Sequence, residues 1–211
     1  MSSFVHSRSL PRNPRRDLYP KQIKTTWKIF RNGQSHMHHL KLSYAFTAPR
    51  KVSSSLQKRG QQQCFFKGFR PSVRLDNAKQ ELSHQLSALT PPPSAYICKL
   101  YGVVYHNNGL VGMLFPWIAQ MGTLWWTLHS KPPSSLKRRW EHQIGKSLQA
   151  LHERGIVWGD AKADNVLIDA DDNAWIVDFG GGYTLGWVNR DKAGTIEGDC
   201  EGMANISRIL L

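Results

Sequence analysis

The stretch GIVWGDAKADNVLI, Gly155 to Ile168, constrains this chain more than any other. It sets an acid (Asp160), a base (Lys162) and an amide (Asn165) within six positions, with apolar residues on both sides. Such a loop has to keep its polar groups at an accessible rim while its flanks are drawn into a core. Upstream, SSLKRRWEHQIGKSLQALHERG carries Leu136, Trp140, Ile144, Leu148 and Leu151 at helical spacing. Ser134 or Ser135 can cap its start and Gly155 can close its end. Downstream, NVLID and AWIVD flank the turn residues ADDN, which predicts a strand pair. The pair runs into a second lone acid, Asp178, followed by Phe179 and three glycines. A helix, a polar loop and a hairpin in that order bring Asp160, Asn165 and Asp178 near one another.

The chain before that helix reads mostly as strands. CFFKGF is a short strand carrying one lysine, Lys67. LDNAKQELSHQLSAL, Leu75 to Leu89, reads as a helix that TPPPS ends. YICKLYGVVYHNNGLVGMLF reads as a β-hairpin around an Asn-Gly turn, and MGTLWWTLHS as a short helix. No Lys, Arg, Asp or Glu occurs from Tyr101 to Ser130, and the apolar run inside that span is long enough to cross a bilayer. Gly112, Pro116, Gln120 and Gly122 interrupt it, so strand, connector and helix are expected and no membrane span. The fold class is α+β, a strand-rich first part followed by a helical second part.

Charge separates the two ends. The formal net charge of the 211 residues is +13, yet from Met1 to Arg74 the one acid is Asp17, and from Leu75 onward acids and bases nearly balance. Residues 1 to 60 are rich in Ser, Pro and basic side chains, a composition that predicts a basic, disordered arm. The arm lacks the apolar run of a signal peptide, and its prolines disfavour the amphipathic helix of a mitochondrial presequence. No RNA-binding aromatic motif accompanies the basic residues, so a nucleic-acid partner is not expected. HMHH, His36 to His39, has no acid or Cys beside it and reads as a polar patch rather than a metal site. DADDN starts like a calcium loop, but Ala174 stands where such a loop needs Gly and Gly180 where it needs Glu, so it reads as a hairpin turn. Three widely spaced cysteines suit a reducing, intracellular setting, cytoplasmic or nuclear, better than a disulfide scaffold.

The polar residues suit phosphoryl transfer, which needs a group to take a hydroxyl proton, oxygen ligands for a divalent metal, and cations near phosphate. Asp160 can accept the proton, and Asn165 and Asp178 offer the carboxylate and amide oxygens that magnesium prefers. Lys162 and Lys67 can neutralise phosphate charge, and the glycines after Asp178 let the backbone bend beside a metal.

VWGDAKADNVLI followed by IVDFG, with Asp178 thirteen residues after Asn165, resembles the catalytic loop and metal-binding segment of eukaryotic-type protein kinases. The resemblance covers about residues 60 to 211 and is nearest to fungal kinase-like proteins with a shortened activation segment. It implies a two-lobed fold, with an N-lobe over about 61–118 and an incomplete C-lobe over about 119–211. It also implies ATP and Mg2+ as cofactors and a protein Ser/Thr hydroxyl as substrate. Asp160 and Lys162 take the catalytic roles, Asn165 and Asp178 the metal, and Lys67 with Glu81 the phosphate anchor. Phe115 takes the gatekeeper place, with Pro116, Trp117 and Ile118 along the adenine-contacting hinge. Asp199, in AGTIEGDCEG, becomes the acid that braces the catalytic loop.

The match is not complete. Trp158-Gly159 replaces the His-Arg pair that usually precedes the catalytic acid, so control by phosphorylation of the following segment is not expected. No glycine-rich phosphate loop precedes Lys67. Gly159-Asp160 is also similar to the corresponding pair of small-molecule phosphotransferases. The same residues therefore admit two further readings, a small-molecule phosphotransferase and a catalytically dead binding module.

Overall fold

The computed structural model describes residues 26–31, 34–39, 50–55, 61–69, 95–106, 109–179 and 181–211. Its first part is a six-stranded sheet of β1 (Thr26–Arg31), β2 (Gln34–His39), β3 (Arg50–Ser55), β4 (Gln61–Gly68), β5 (Gly102–His106) and β6 (Gly109–Pro116). The spatial order is β2-β1-β5-β6-β4-β3, and every neighbouring pair is antiparallel. Side chains alternate between two faces from Cys64 to Lys67 of β4, along Val103–Tyr105 of β5 and along Met113–Phe115 of β6, with a register shift in the β5–β6 pairing between Val104 and Tyr105. Cys64, Val104 and Leu114 form one apolar cluster with Phe66, and Val103, Met113 and Phe115 form another with Phe65. Both faces are thus covered, as the period of two dictates. The second cluster also takes in Ile118 and Val177, which places the face carrying Phe65 toward the rest of the molecule. Lys67, two positions after Phe65 and opposite Met113, lies on that face.

The second part holds the longer helices. β7 (Gln120–Thr123) leads into α1 (Leu124–Leu128), then α2 (Ser134–His152). β8 (Val166–Asp169) and β9 (Ala174–Ile176) form the expected hairpin and pair with β7 in a three-stranded sheet. α3 (Ile196–Leu210) follows, with Thr195 Oγ1 accepting from Gly198 N at 3.0 Å as its cap. One core joins Trp140, Ile144, Leu148 and Leu151 of α2 to Val166, Ile168, Ala174 and Ile176 of the hairpin and to Ile206 and Leu210 of α3. Fully burying each Leu, Ile or Val side chain of this core contributes about 1.5–3 kcal/mol. The segment Ala95–Leu100 straps the two parts together. Ile97 bridges Ile176, Tyr96 N donates to Ser147 Oγ of α2 at 3.0 Å, and the Tyr96 ring stands edge-on to Trp175.

The structure corrects several expectations. Residues 1 to 60 are not wholly an unstructured arm, because β1, β2 and β3 lie within them. The Ser, Pro and basic residues between the strands dominate the composition there and mask short strand-forming runs. TWKIFR holds Trp, Ile and Phe, which favour strands, and Asn32-Gly33 between the paired Arg31 and Gln34 is itself a hairpin signal. α2 is preceded by Pro133 at φ −63° and ψ 152°, with no side-chain cap from Ser134 or Ser135. The pyrrolidine ring holds φ in its one favoured range, so the chain turns into the helix without a hydroxyl. Gly155 does close the exit: its φ is +68° and its N–H reaches His152 O at 2.9 Å. The apolar run inside the uncharged span breaks into β6, β7 and α1, one strand more than expected, and among the described residues no helix is long and apolar enough to cross a membrane. The expected helix Leu75 to Leu89, with Glu81, lies outside the described residues.

Candidate active site

The loop between α2 and β8 is held from below by a buried carboxylate. Asp199, in the first turn of α3 and 1% exposed, accepts from Trp158 N at 2.7 Å and Gly159 N at 2.8 Å. His152 Nε2, from the last turn of α2, lies 3.0 Å from Asp199 Oδ2. The Trp158 ring is fully buried and its Nε1 donates to Val177 O at 2.9 Å, so this residue packs the loop onto the strand leading to Asp178. Gly159 has φ +87°, and a Cβ there would stand 2.8 Å from Gly181 Cα. Backbone and packing both require glycine at that place.

Above this floor Asp160 is turned by three side chains. Lys162 Nζ donates to Oδ2 at 2.6 Å, Asn165 Nδ2 to the same oxygen at 3.0 Å, and Thr184 Oγ1 to Oδ1 at 3.0 Å. Asn165 Nδ2 also donates to the Asp160 carbonyl at 2.9 Å, and Lys162 Nζ to Thr184 Oγ1 at 2.7 Å. The Asp160 side chain is 16% exposed, open enough to meet a ligand and shielded enough for its partners to matter. Both Asn165 bonds use its nitrogen, so the amide oxygen is the atom left for a cation. Thr184 was not foreseen, nor was His152, because each lies far from Asp160 or Asp199 in the chain and no local pattern pairs them.

Asp178 follows β9 in a left-handed backbone, φ +63°, rare for a residue with a side chain. Its carboxylate forms an ion pair with Lys67 of β4, which joins the two parts of the chain at the site. Between them lies a cleft of about 320 Å³. Lys67, Phe115, Pro116, Trp117, Ile118, Asn165 and Asp178, all expected at the site, line it. Phe65, Cys98, Asp164, Leu167 and Val177 also line it and were not singled out by sequence. Phe65 and Phe115 are cross-strand partners with ring centroids 6.5 Å apart. Burial pushes the Cys98 thiol up to about 12, so it is a neutral, apolar part of the wall at physiological pH. Glu81 lies outside the described residues.

A sheet lobe and a helical lobe sharing one cleft lined by Lys67, Asn165 and Asp178, with Asp160 and Lys162 bonded beside Asn165, form the architecture of a protein kinase domain. The chain belongs to that family: the protein kinase domain pattern matches residues 49–197. It is similar to the protein kinase C zeta type of Oryctolagus cuniculus, 44% identical over 50 residues, which are 24% of this chain and 8% of that protein. It is also similar to a probable cAMP-dependent protein kinase catalytic subunit of Encephalitozoon cuniculi, 27% identical over 86 residues, 40% of this chain and 26% of that protein. A third relative is the serine/threonine-protein kinase PknE of Mycobacterium tuberculosis, 50% identical over 38 residues, 18% of this chain and 7% of that protein. The matched stretch is a small part of each relative's length.

Proposed function

We propose that this domain transfers a phosphoryl group from ATP to a Ser or Thr hydroxyl of a protein. The observation that carries the reading is that Lys67, Asn165 and Asp178 line one apolar cleft while Asn165 also bonds Asp160, the partner of Lys162, just beside it. Asp160 takes the proton of the acceptor hydroxyl, its carboxylate oriented by Lys162, Asn165 and Thr184. Lys162 stabilises the charge that builds up during transfer. The Asn165 oxygen and the Asp178 carboxylate make a hard, oxygen-only donor set that suits Mg2+. Lys67, with Glu81 as the partner the family resemblance implies, anchors phosphate, and Phe65, Phe115, Trp117 and Ile118 offer the apolar walls that suit an adenine ring. Magnesium-bound ATP supplies the phosphoryl group and the metal charge. Lys162 two positions after Asp160 supports a Ser/Thr acceptor, and the sparse cysteines support an intracellular setting, cytoplasmic or nuclear. The small-molecule reading rested on Gly159, and the close approach of Gly181 accounts for that glycine without reference to any substrate.

Thermal unfolding with and without Mg2+ and ATP tests this, on wild type, Asp178→Asn and Asp160→Asn, followed by phosphate transfer to peptides. Nucleotide is expected to raise the midpoint of wild type and Asp160→Asn but not of Asp178→Asn. Transfer by Asp160→Asn is expected to fall by roughly 10²-fold or more. A midpoint indifferent to nucleotide would point to a binding module. Transfer to small hydroxyl compounds but to no peptide would overturn the protein-substrate reading.

A further inference from the structure

An acceptor hydroxyl that reaches Asp160 brings its neighbours along, and they have to lie on the surface bordering that carboxylate. The border is built by the segment after Asp178. Thr184 bonds Asp160 and Lys162, and Trp187 N closes a turn on Thr184 O at 3.2 Å. Residues 184–187 therefore fold back within one turn of the carboxylate. Leu185, inside that turn, is 83% exposed, and Tyr183 before it is 45% exposed. A Cβ at Gly182 would meet the Asp160 carboxyl at 3.3 Å, so the glycine keeps the approach low and open. The Trp187 ring meets the Trp125 ring of α1 edge-on, centroids 6.4 Å apart, which carries the surface onto the neighbouring helix. There Trp125 is 44% exposed and Trp126 70%.

The composition of this border is one-sided. Neither the span from Phe179 to Asn189 nor the run that contains α1 holds a Lys, Arg, Asp or Glu. The charges beside Thr184 are matched, Asp160 with Lys162 and Asp178 with Lys67, and the next charged residue along the chain is Arg190. A charged flank laid on residues 183–187 would lose hydration and meet no charged side chain within that span, whereas an apolar or aromatic flank would gain by burial and ring contact. The segment is also held in place beforehand. Asn205 of α3 donates to Trp187 O at 2.7 Å, and Glu201 accepts from Asn189 Nδ2 at 2.7 Å. A surface fixed in advance imposes little ordering cost on what binds it.

We propose that the uncharged surface from Tyr183 to Trp187, continued by Trp125 of α1, receives the residues beside the acceptor hydroxyl, so that the substrate is a polypeptide whose Ser or Thr is flanked by apolar or aromatic side chains. This rests on the phosphoryl-transfer reading above. The test uses the full chain with Mg2+ and a non-hydrolysable ATP analogue, and measures by fluorescence anisotropy the binding of peptides with one central Ser or Thr. The flanks are Leu and Phe in one set, Arg and Lys in a second, Asp and Glu in a third, and phosphate transfer to each is measured in parallel with ATP. The apolar set is expected to bind roughly tenfold tighter than either charged set. Leu185→Glu and Trp125→Glu are expected to remove about that whole preference while the nucleotide-induced rise in unfolding midpoint persists. Leu185 is so exposed that its substitution leaves the core untouched, which guards against loss of binding through unfolding. Preference for a charged set, or a Leu185→Glu chain that binds the apolar set as wild type does, overturns the proposal. So does transfer to small hydroxylated aromatics with no peptide bound. Apolar preference in binding without transfer upholds this surface and overturns the catalytic reading. Transfer with a charged preference does the reverse.

Discussion

Thr184 is a neutral side chain held between two charged ones, and its hydroxyl both accepts from Lys162 and donates to Asp160. Thr184→Ala leaves the Lys162 and Asn165 bonds to Asp160 Oδ2 in place but removes the one that holds Oδ1. We expect kcat for peptide phosphorylation to drop about tenfold, equivalent to ~1.4 kcal/mol, with little change in unfolding midpoint or in KM for ATP. Thr184→Ser is expected to recover most of the loss, and an unchanged kcat in Thr184→Ala would show the hydroxyl to be a bystander. At this scale the sequence was legible where partners are close in the chain. Asp160, Lys162 and Asn165 sit in one short loop, and their chemistry can be read from their spacing. Thr184 and His152 could not be read that way, because each becomes a partner only when a distant segment folds back onto the loop.

The hairpin of β8 and β9 shows how a turn is specified by one carboxylate. Asp169 Oδ1 accepts from Asp171 N at 2.9 Å and Asn173 N at 2.8 Å, and Oδ2 from Trp175 Nε1 at 2.7 Å. Burial pushes its pKa up, but bonds from the Trp175 side chain, the Asn173 backbone and side chain and the Asp171 backbone outweigh that and hold it below the usual carboxylate value. As pH falls the unfolded chain takes up this proton first. The stabilisation is therefore complete above the unfolded carboxyl's pKa and is lost as pH drops through the lower folded value. Asp169→Ala is expected to lower the unfolding midpoint at neutral pH and to flatten its decline between about pH 5 and pH 3. Midpoints measured across that range check both, and parallel acid limbs in the two chains would refute the assignment. The strands and the turn were both visible beforehand, since ADDN between two apolar runs can hardly be read otherwise. β7 was missed because MGT precedes an evident helix and has no alternating pattern of its own; it becomes a strand by pairing with β8. Likewise β1 to β3 were hidden by the basic and Ser-rich composition around them.

Across the whole molecule, the catalytic loop depends on how closely α3 can approach it. A Cβ at Gly202 would stand 2.4 Å from Ala161 O and 2.6 Å from Ala161 Cβ, so Gly202→Ala has to push the helix off the loop. We expect a cost of about 1–3 kcal/mol, and with it a lower midpoint and reduced phosphate transfer. Gly145→Ala, on α2, is the matched control: its nearest neighbour would be Met203 Cε at 3.8 Å, and helix propensity should stabilise the chain by up to about 1 kcal/mol. Calorimetry on the pair gives opposite signs if close approach is what the Gly202 position requires. The sequence by itself determined α2, the two strands after it and the loop that presents Asp160, Lys162 and Asn165, because local periodicity and turn chemistry specify such pieces within a few residues. The bracing acid Asp199 was expected from the resemblance; only the tertiary structure decided that Lys67 meets Asp178 across the cleft, that His152 joins Asp199 beneath the loop, and that Thr184 and its uncharged neighbours lie beside Asp160. Those contacts join residues far apart in the chain, and packing of the two lobes and of α3 against the loop creates them; no local pattern encodes which distant side chain arrives.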